Sequence, residues 1–181
     1  MPKKSAVLRD LTMSQFGSWM TEYDLFPWKD YAFGRAPELE LGAQGKYTFI
    51  KAFAGYNPHR RRYEELDKIA PSVSRLQYIL RVDGNLDVFL TPQTISRPTI
   101  VIPKHLRLIE GNLNIPLMRD HIVSPGVETK ISPGDLIVCD YAYFTEIDGP
   151  VDTVAEQSAR ETFHNSDTEN IILPANLTKK K

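Results

Sequence analysis

The residues best suited to chemistry form a basic and aromatic cluster at positions 56–63. Its members are Tyr56, His59, Arg60, Arg61, Arg62 and Tyr63. Guanidinium groups bind phosphates and carboxylates through paired hydrogen bonds, and tyrosine rings can stack on nucleic-acid bases. Because Asn57-Pro58 is a good helix start, the spacing puts the arginines in a first helical turn, where the dipole favours an anion. The cluster therefore predicts an anion or nucleic-acid contact; the alternative is a solvated basic turn.

A second set of residues has the types that a metal site needs. His121 and Glu128 precede the turn Pro133-Gly134-Asp135, and this order resembles the cupin β-barrel. The resemblance implies a metal enzyme that uses His121 and Glu128. However, the chain has no His-x-His pair, and catalytic metals usually take three protein ligands. We therefore predict no catalytic residue, metal or cofactor, and keep a cupin-like enzyme as the third interpretation.

Cys139 is the single cysteine, so no intrachain disulfide can form. It lies in the apolar run Leu136–Cys139, where a cysteine usually behaves as a small buried hydrophobe. The sequence also lacks a glycine-rich phosphate loop, a Gly-x-Ser-x-Gly elbow and a His-Glu-x-x-His motif. These features argue against an enzyme.

Aromatic residues near the N-terminus have helical spacing. Thr12 and Gln15 fit a capping box, and the apolar face that follows is formed by Phe16, Trp19, Met20 and Tyr23. Such a face either docks into the apolar groove of a partner or packs on the core of its own domain.

The pattern from about residue 77 to 147 is that of β-strands. Two alternating runs flank Asp83-Gly84, which predicts a hairpin. Tyr47–Phe53 and Thr99–Ile102 also have strand composition. We predict an α+β, β-rich fold: an antiparallel sheet or small barrel over about 47–147. An N-terminal helix, a short second helix from Asn57 and a C-terminal helix over about 152–163 complete it.

A short motif recurs along this β region. Gly84-Asn85-Leu86 returns as Gly111-Asn112-Leu113 and more loosely as Gly134-Asp135-Leu136. The stretch 102–115 resembles the hPxxLxhxGNLxh repeats of bacterial and phage β-solenoid proteins. The resemblance implies a short β-solenoid core as the alternative fold, and it is the only link to a phage or viral protein.

Length and charge set the remaining expectations. The chain has 181 residues and a net charge of −1, so a strongly basic nucleic-acid coat is not predicted. The sequence has neither a signal-peptide pattern nor an apolar run long enough for a membrane span. We predict one domain over 1–181, divided into a helical or irregular N-terminal extension (1–45), a β-rich core (46–149) and a C-terminal helix and tail (150–181).

The predicted function is a non-catalytic protein–protein interaction or structural protein, taken as a phage or viral accessory or virion component. Its partner would be another protein or a second copy of itself. Nucleic-acid or nucleotide binding through residues 60–62 is the alternative function. The predicted location is the cytoplasm, or the virion for a viral protein, and neither a membrane nor the secretory route.

Overall fold

A computed structural model describes residues 4–14, 21–42, 45–52, 56–57, 62–63, 72–106 and 115–152. The strands are β1 Lys4–Asp10, β2 Thr21–Leu25, β3 Lys29–Gly34, β4 Tyr47–Lys51, β5 Tyr56–Asn57, β6 Arg62–Tyr63, β7 Tyr78–Val82, β8 Val88–Pro92, β9 Thr99–Ile102, β10 Ile122–Val123, β11 Thr129–Ile131, β12 Leu136–Cys139 and β13 Tyr143–Asp152. The helices are α1 Leu11–Ser14, α2 Pro37–Leu41 and α3 Ile115–Asp120.

Most strands belong to two sheets that pack face to face. The first sheet has the order β10-β9-β12-β13-β1-β2, and the second has the order β11-β8-β7-β3-β4. Neighbours are antiparallel except β3 and β4, which are parallel. One apolar cluster joins the layers, with Leu8 and Ile147 from the first sheet and Phe33 and Leu80 from the second. The β-rich prediction is confirmed, and the described strands form two layers rather than a closed barrel.

Aromatic rings tie the two layers together near one end. Phe33 stacks on Tyr78 with ring centroids 4.6 Å apart, and the Tyr143 ring of the other sheet lies 5.9 Å from Phe33. Such pairs contribute about 0.5–1.5 kcal/mol beyond their buried area. Phe33 lies near the end of β3 and Tyr78 is the first residue of β7. Their packing therefore supports the loop that follows β3 and the loop that precedes β7.

The outer face of the first sheet is also covered. Met118 of α3 packs there against Ile100, Val138 and Phe144 in a second apolar cluster. Burial on both faces explains why β9 and β12 are continuous apolar runs rather than alternating ones.

The hairpin predicted around Asp83-Gly84 is confirmed. Val82 lies opposite Val88 and Leu80 opposite Leu90 in the antiparallel β7–β8 pair. The Asp83 carboxylate accepts the backbone N–H groups of Asn85 and Asp87 at 2.8 and 3.0 Å and so closes the turn. The strands predicted at Tyr47 and Thr99 are present as β4 and β9.

The N-terminal helix predicted from Thr12 does not extend to Tyr23. The described helix α1 is Leu11–Ser14, and Tyr23 lies in β2, paired with β1. The Thr12 hydroxyl bonds the N–H and carbonyl of Phe144 at 2.6 and 3.3 Å rather than capping a longer helix. Tertiary pairing has overridden the local helical spacing. The other members of the predicted docking face, Phe16, Trp19 and Met20, lie outside the described residues.

The second helix predicted from Asn57 is also wrong. Tyr56–Asn57 and Arg62–Tyr63 pair as antiparallel strands, with Tyr56 opposite Tyr63. Asn-Pro is a turn signal as well as a helix start. The pairing of Asn57 with Arg62 places Asn57 in a strand rather than at the start of a helix. Arg62 and Tyr63 therefore lie in a strand rather than in a helix, whereas His59, Arg60 and Arg61 lie outside the described residues.

The predicted helical or irregular segment 1–45 contributes strands to both sheets. Strands β1 and β2 lie in the first sheet and β3 in the second. At the other boundary, β13 continues through Gly149-Pro150 to Asp152, beside a register shift between Ser5 and Val7 of β1, where a strand can accommodate proline. The C-terminal helix predicted beyond Asp152 falls outside the described residues, and the single-domain boundary 1–181 stays a prediction.

The β-solenoid interpretation is wrong. A solenoid stacks successive coils of one repeat, whereas Gly84-Asn85 forms the turn of an antiparallel hairpin in the second sheet. Gly134-Asp135 instead leads into β12 of the first sheet. Similar short strings therefore occupy different positions, because Gly-Asn and Gly-Asp are general turn formers. The phage or viral prediction rested only on this resemblance and is therefore unsupported.

Candidate functional site

Three loops meet at one end of the second sheet, and we call this the three-loop end. They are residues 34–37 after β3, 72–77 before β7 and 93–98 after β8. Since β3, β7 and β8 are adjacent and antiparallel, the end of β3 meets the start of β7 and the end of β8. The N–H of Arg35 donates to the Ser74 carbonyl at 2.8 Å, and the N–H of Ala36 donates to the Arg75 carbonyl at 3.0 Å.

Gly34 permits the close approach of the first two loops. A Cβ at this position would lie 2.0 Å from the Arg75 carbonyl oxygen and 3.0 Å from the Leu76 Cα. Both neighbours are backbone atoms that cannot rotate away. Residue 34 must therefore be glycine for Arg35 and Ser74 to lie side by side.

Gln77 connects the second and third loops from inside. It is fully buried, and its side-chain oxygen accepts the Ser74 N–H at 2.9 Å. Its amide nitrogen donates to the Arg97 carbonyl and to the Thr99 hydroxyl, both at 2.9 Å. Its backbone carbonyl accepts the Gln93 N–H. One polar side chain therefore fixes the relative positions of these two loops, as fully satisfied buried networks do.

The surface that these loops present combines hydroxyl groups with guanidinium groups. The hydroxyl oxygens of Ser74 and Thr94 lie 3.4 Å apart, and that of Ser96 lies 3.1 Å from Thr94. Arg35 is exposed and makes no ion pair with any other residue that the structure describes. The first loop therefore presents an exposed cationic side chain at this end.

The other two arginines of the three-loop end already face carboxylates. Arg75 lies 3.6 Å from Glu40 of α2, and Arg97 lies 3.0 Å from Asp140. An exposed pair of this kind is worth about 0–1 kcal/mol. The three loops themselves contain three arginines and no acidic residue, and two of these arginines face carboxylates of neighbouring elements.

The metal-type residues predicted from the sequence are not assembled into a site. Glu128 accepts two hydrogen bonds from Arg81 at 2.8 and 3.0 Å, and this pairing holds the pKa of the Glu128 carboxyl below its usual value. His121 lies beside β10 at an edge of the first sheet, whereas Glu128 precedes β11 at an edge of the second. Among the described residues, no group of three metal-ligating side chains occurs.

Cys139 lies in the core, as its sequence context indicates. The side chain is fully buried, and burial raises the pKa of its thiol well above the ordinary value. A nucleophilic cysteine needs the opposite shift, so the position has a packing role.

Sequence reasoning missed the residues of the three-loop end. A signal was present, since three arginines each follow a small residue close to a strand end: Gly34-Arg35, Ser74-Arg75 and Ser96-Arg97. Strand order could not be read from the sequence, so nothing showed that these three dipeptides converge. The anion or nucleic-acid contact expected at residues 56–63 stays a prediction, because half of the six residues named for it lie outside the described residues.

Several solved structures resemble this chain in backbone arrangement. The FHA domain of a Chlamydia trachomatis protein is 11% identical with a TM-score of 0.46, over 80% of this chain and 97% of that one. The FHA domain of an Arabidopsis thaliana hypothetical protein is 11% identical with a TM-score of 0.45, over 83% of this chain and 92% of that one. An FHA domain studied for phosphothreonine-dependent interactions is 14% identical with a TM-score of 0.42, over 80% of this chain and 96% of that one.

All three are FHA domains rather than β-solenoid repeats. No protein-family model matches the sequence, and no curated protein sequence matches it. In the part of the chain that the structure describes, no helix is long and apolar enough to cross a membrane.

Proposed function

We propose that this protein is a non-catalytic protein–protein interaction module that binds a phosphorylated peptide at the three-loop end. The observation that carries the proposal is the backbone hydrogen bond from Arg35 to Ser74, which sets an exposed arginine next to the residue whose hydroxyl lies 3.4 Å from that of Thr94. Buried Gln77 holds Ser74 in place through its backbone N–H. Because the loop is already held in place, binding loses less conformational entropy.

Phosphate is the ligand group that these side chains suit best. A phosphate monoester carries nearly two negative charges at neutral pH and three strong acceptor oxygens. A guanidinium fork and two hydroxyl groups supply matching donors, and charge-assisted hydrogen bonds are about twice as strong as neutral ones. A long polyanion suits the site less, because the chain has a net charge of −1 and affinity for nucleic acid increases with the number of cations delivered.

Exposed apolar side chains beside the site favour a peptide over a free phosphate. Ile95 lies between Thr94 and Ser96 and is 88% exposed, and Leu39 of α2 is 68% exposed. The Arg75–Glu40 pair places α2 next to the second loop. An extended peptide that crosses the loops can cover such side chains, whereas an inorganic ion cannot. Phosphopeptide recognition by arginine-bearing loops is a recurring binding mode.

The experiment that tests this function is a binding screen with the full chain immobilised. One pool holds degenerate peptides with phosphothreonine or phosphoserine at a fixed central position, and the control pool is the same material after phosphatase treatment. We expect capture from the phosphorylated pool only, with competition by excess free phosphoamino acid. Equal capture from both pools, or capture from neither, would contradict the proposal.

A further inference from the structure

Arg97, on the third loop, is held in a fixed direction beside the proposed phosphate site. Its Nη1 lies 3.0 Å from the Oδ2 of Asp140, and its backbone carbonyl accepts the buried Gln77 amide. The N–H of Asp140 donates in turn to the Pro98 carbonyl at 2.9 Å. The guanidinium group and its carboxylate partner are thus anchored through both their side chains and their backbones.

The turn that carries Asp140 has an unfavourable backbone for its residues. Asp140 and Tyr141 have φ values of +47° and +60°, and the N–H of Ala142 donates to the Cys139 carbonyl at 3.1 Å. Turns with two left-handed central residues strongly prefer Asn-Gly or Asp-Gly. A left-handed tyrosine costs more than a partly exposed ion pair usually returns. The ion pair alone therefore does not compensate for the backbone cost of this turn, which holds Asp140 where it contacts Arg97.

Arg97 also keeps donors to spare. A guanidinium group has five N–H donors, and among the described residues the structure shows one side-chain hydrogen bond from Arg97, to Asp140. Its side chain is 33% exposed. The planar fork can therefore hold Asp140 on one edge and accept a second anion on the other.

We propose that Arg97 binds a carboxylate of the ligand, so that the ligand class is a phosphopeptide with an acidic residue near its phosphorylated residue. This inference rests on the proposed function and narrows it. A singly charged carboxylate suits the position better than a second phosphate, because the Asp140 charge adjoins it and repels a dianion more strongly. Arg75 is the weaker candidate, since its contact to Glu40 is 3.6 Å and both side chains are about half exposed.

The test uses the full chain and a set of synthetic peptides with one central phosphothreonine and alanine elsewhere. Single aspartates are placed at each of three positions on either side, and asparagine replaces aspartate at the best position as a neutral isostere. For wild-type protein we expect the Asp peptide to bind about 5- to 20-fold more tightly than the Asn peptide. In Arg97→Gln this ratio should fall to about 1.

The matched control is Arg81→Gln, which removes an arginine of comparable exposure whose carboxylate partner, Glu128, immediately precedes β11 of the second sheet. It should leave the Asp-over-Asn ratio unchanged, and thermal unfolding of each variant checks that the fold persists. An unchanged ratio in Arg97→Gln would overturn the inference, as would an equal loss of affinity for both peptides. If no phosphorylated peptide or pool binds the wild-type protein, the proposed function itself fails, and that outcome is distinct from loss of the ratio alone.

Discussion

At the scale of single residues, phosphate binding depends on which arginine of the three-loop end has no carboxylate beside it in the described residues. Arg75 and Arg97 lie beside Glu40 and Asp140, whereas Arg35 has no carboxylate partner among the described residues. A phosphate would have to share the first two with an existing anion. Arg35 should therefore contribute most of the phosphate affinity.

Replacing Arg35 with alanine should weaken phosphopeptide binding by about 10- to 100-fold, because hydrogen bonds to charged groups are worth about 1.5–3 kcal/mol. Stability should change little, since the side chain is exposed. Isothermal titration calorimetry with a peptide from the screen measures the loss. Arg81→Ala is the control and should bind as wild type; equal weakening in both variants would show a general effect of charge rather than a site.

Gln77 gives a second prediction at this scale. Gln77→Leu keeps the approximate volume but removes the bonds to Ser74, Arg97 and Thr99. Each buried polar group left unpaired costs about 1–3 kcal/mol, so we expect a loss of several kcal/mol in unfolding free energy, measured by urea titration. Gln93→Leu is the comparison, since that side chain is exposed and bonds only the nearby Thr91 carbonyl. Similar stability of the two variants would contradict the role given to Gln77.

At the scale of elements, adjacent antiparallel strands deliver the loops to one end. The register of β3 against β7 sets Phe33 opposite Tyr78, and the aromatic stack between them supports the loops directly above. The loops then need only a few backbone hydrogen bonds to hold their order. At Gly34 this arrangement leaves no room for a side chain.

We expect Gly34→Ala to separate the first two loops, because its Cβ would overlap the Arg75 carbonyl. Phosphopeptide affinity should fall with that separation, and unfolding free energy should fall by about 1–3 kcal/mol, the usual cost of overpacking. Gly45→Ala is the matched control, since its Cβ would meet nothing within 4 Å. Wild-type affinity in Gly34→Ala would show that the loops need not touch.

At the scale of the whole molecule, stability should depend on buried tyrosines near Asp10. Burial and the Asp10 charge raise the pKa of Tyr23 from 10.0 to about 12, and burial also raises the pKa values of Tyr78 and Tyr143. The Tyr143 hydroxyl donates a hydrogen bond to the Asp10 carboxylate. Ionising any of these phenols would put a second negative charge beside Asp10.

The sign of the resulting pH dependence follows from linkage. Since the folded pKa of Tyr23 exceeds its unfolded value, its contribution to stability is complete below pH 10 and is lost as pH rises toward 12. Urea unfolding between pH 9 and 12 should show this decline, and Tyr23→Phe should reduce its slope. A wild-type slope in the variant would contradict the shift.

The sequence predicted features that depend on contacts between residues close together in the chain, and it missed features that depend on contacts between distant residues. Local signals identified the β7–β8 hairpin through Asp83-Gly84 and the burial of Cys139, since turn chemistry and alternation act over a few residues. The same local signals failed at Thr12, whose hydroxyl bonds Phe144, 132 residues away. The three-loop end was missed for the same reason: Arg35, Ser74 and Thr94 become neighbours only through strand order.

The most direct test of the central claim is a map of amide chemical shifts. A phosphothreonine peptide selected by the screen is titrated into isotope-labelled full-length protein, with its dephosphorylated form as reference. We expect the shift changes that depend on the phosphate to concentrate at residues 34–37, 72–77 and 93–98. Shifts concentrated at residues 56–63 instead would place binding at the arginine cluster and contradict the account.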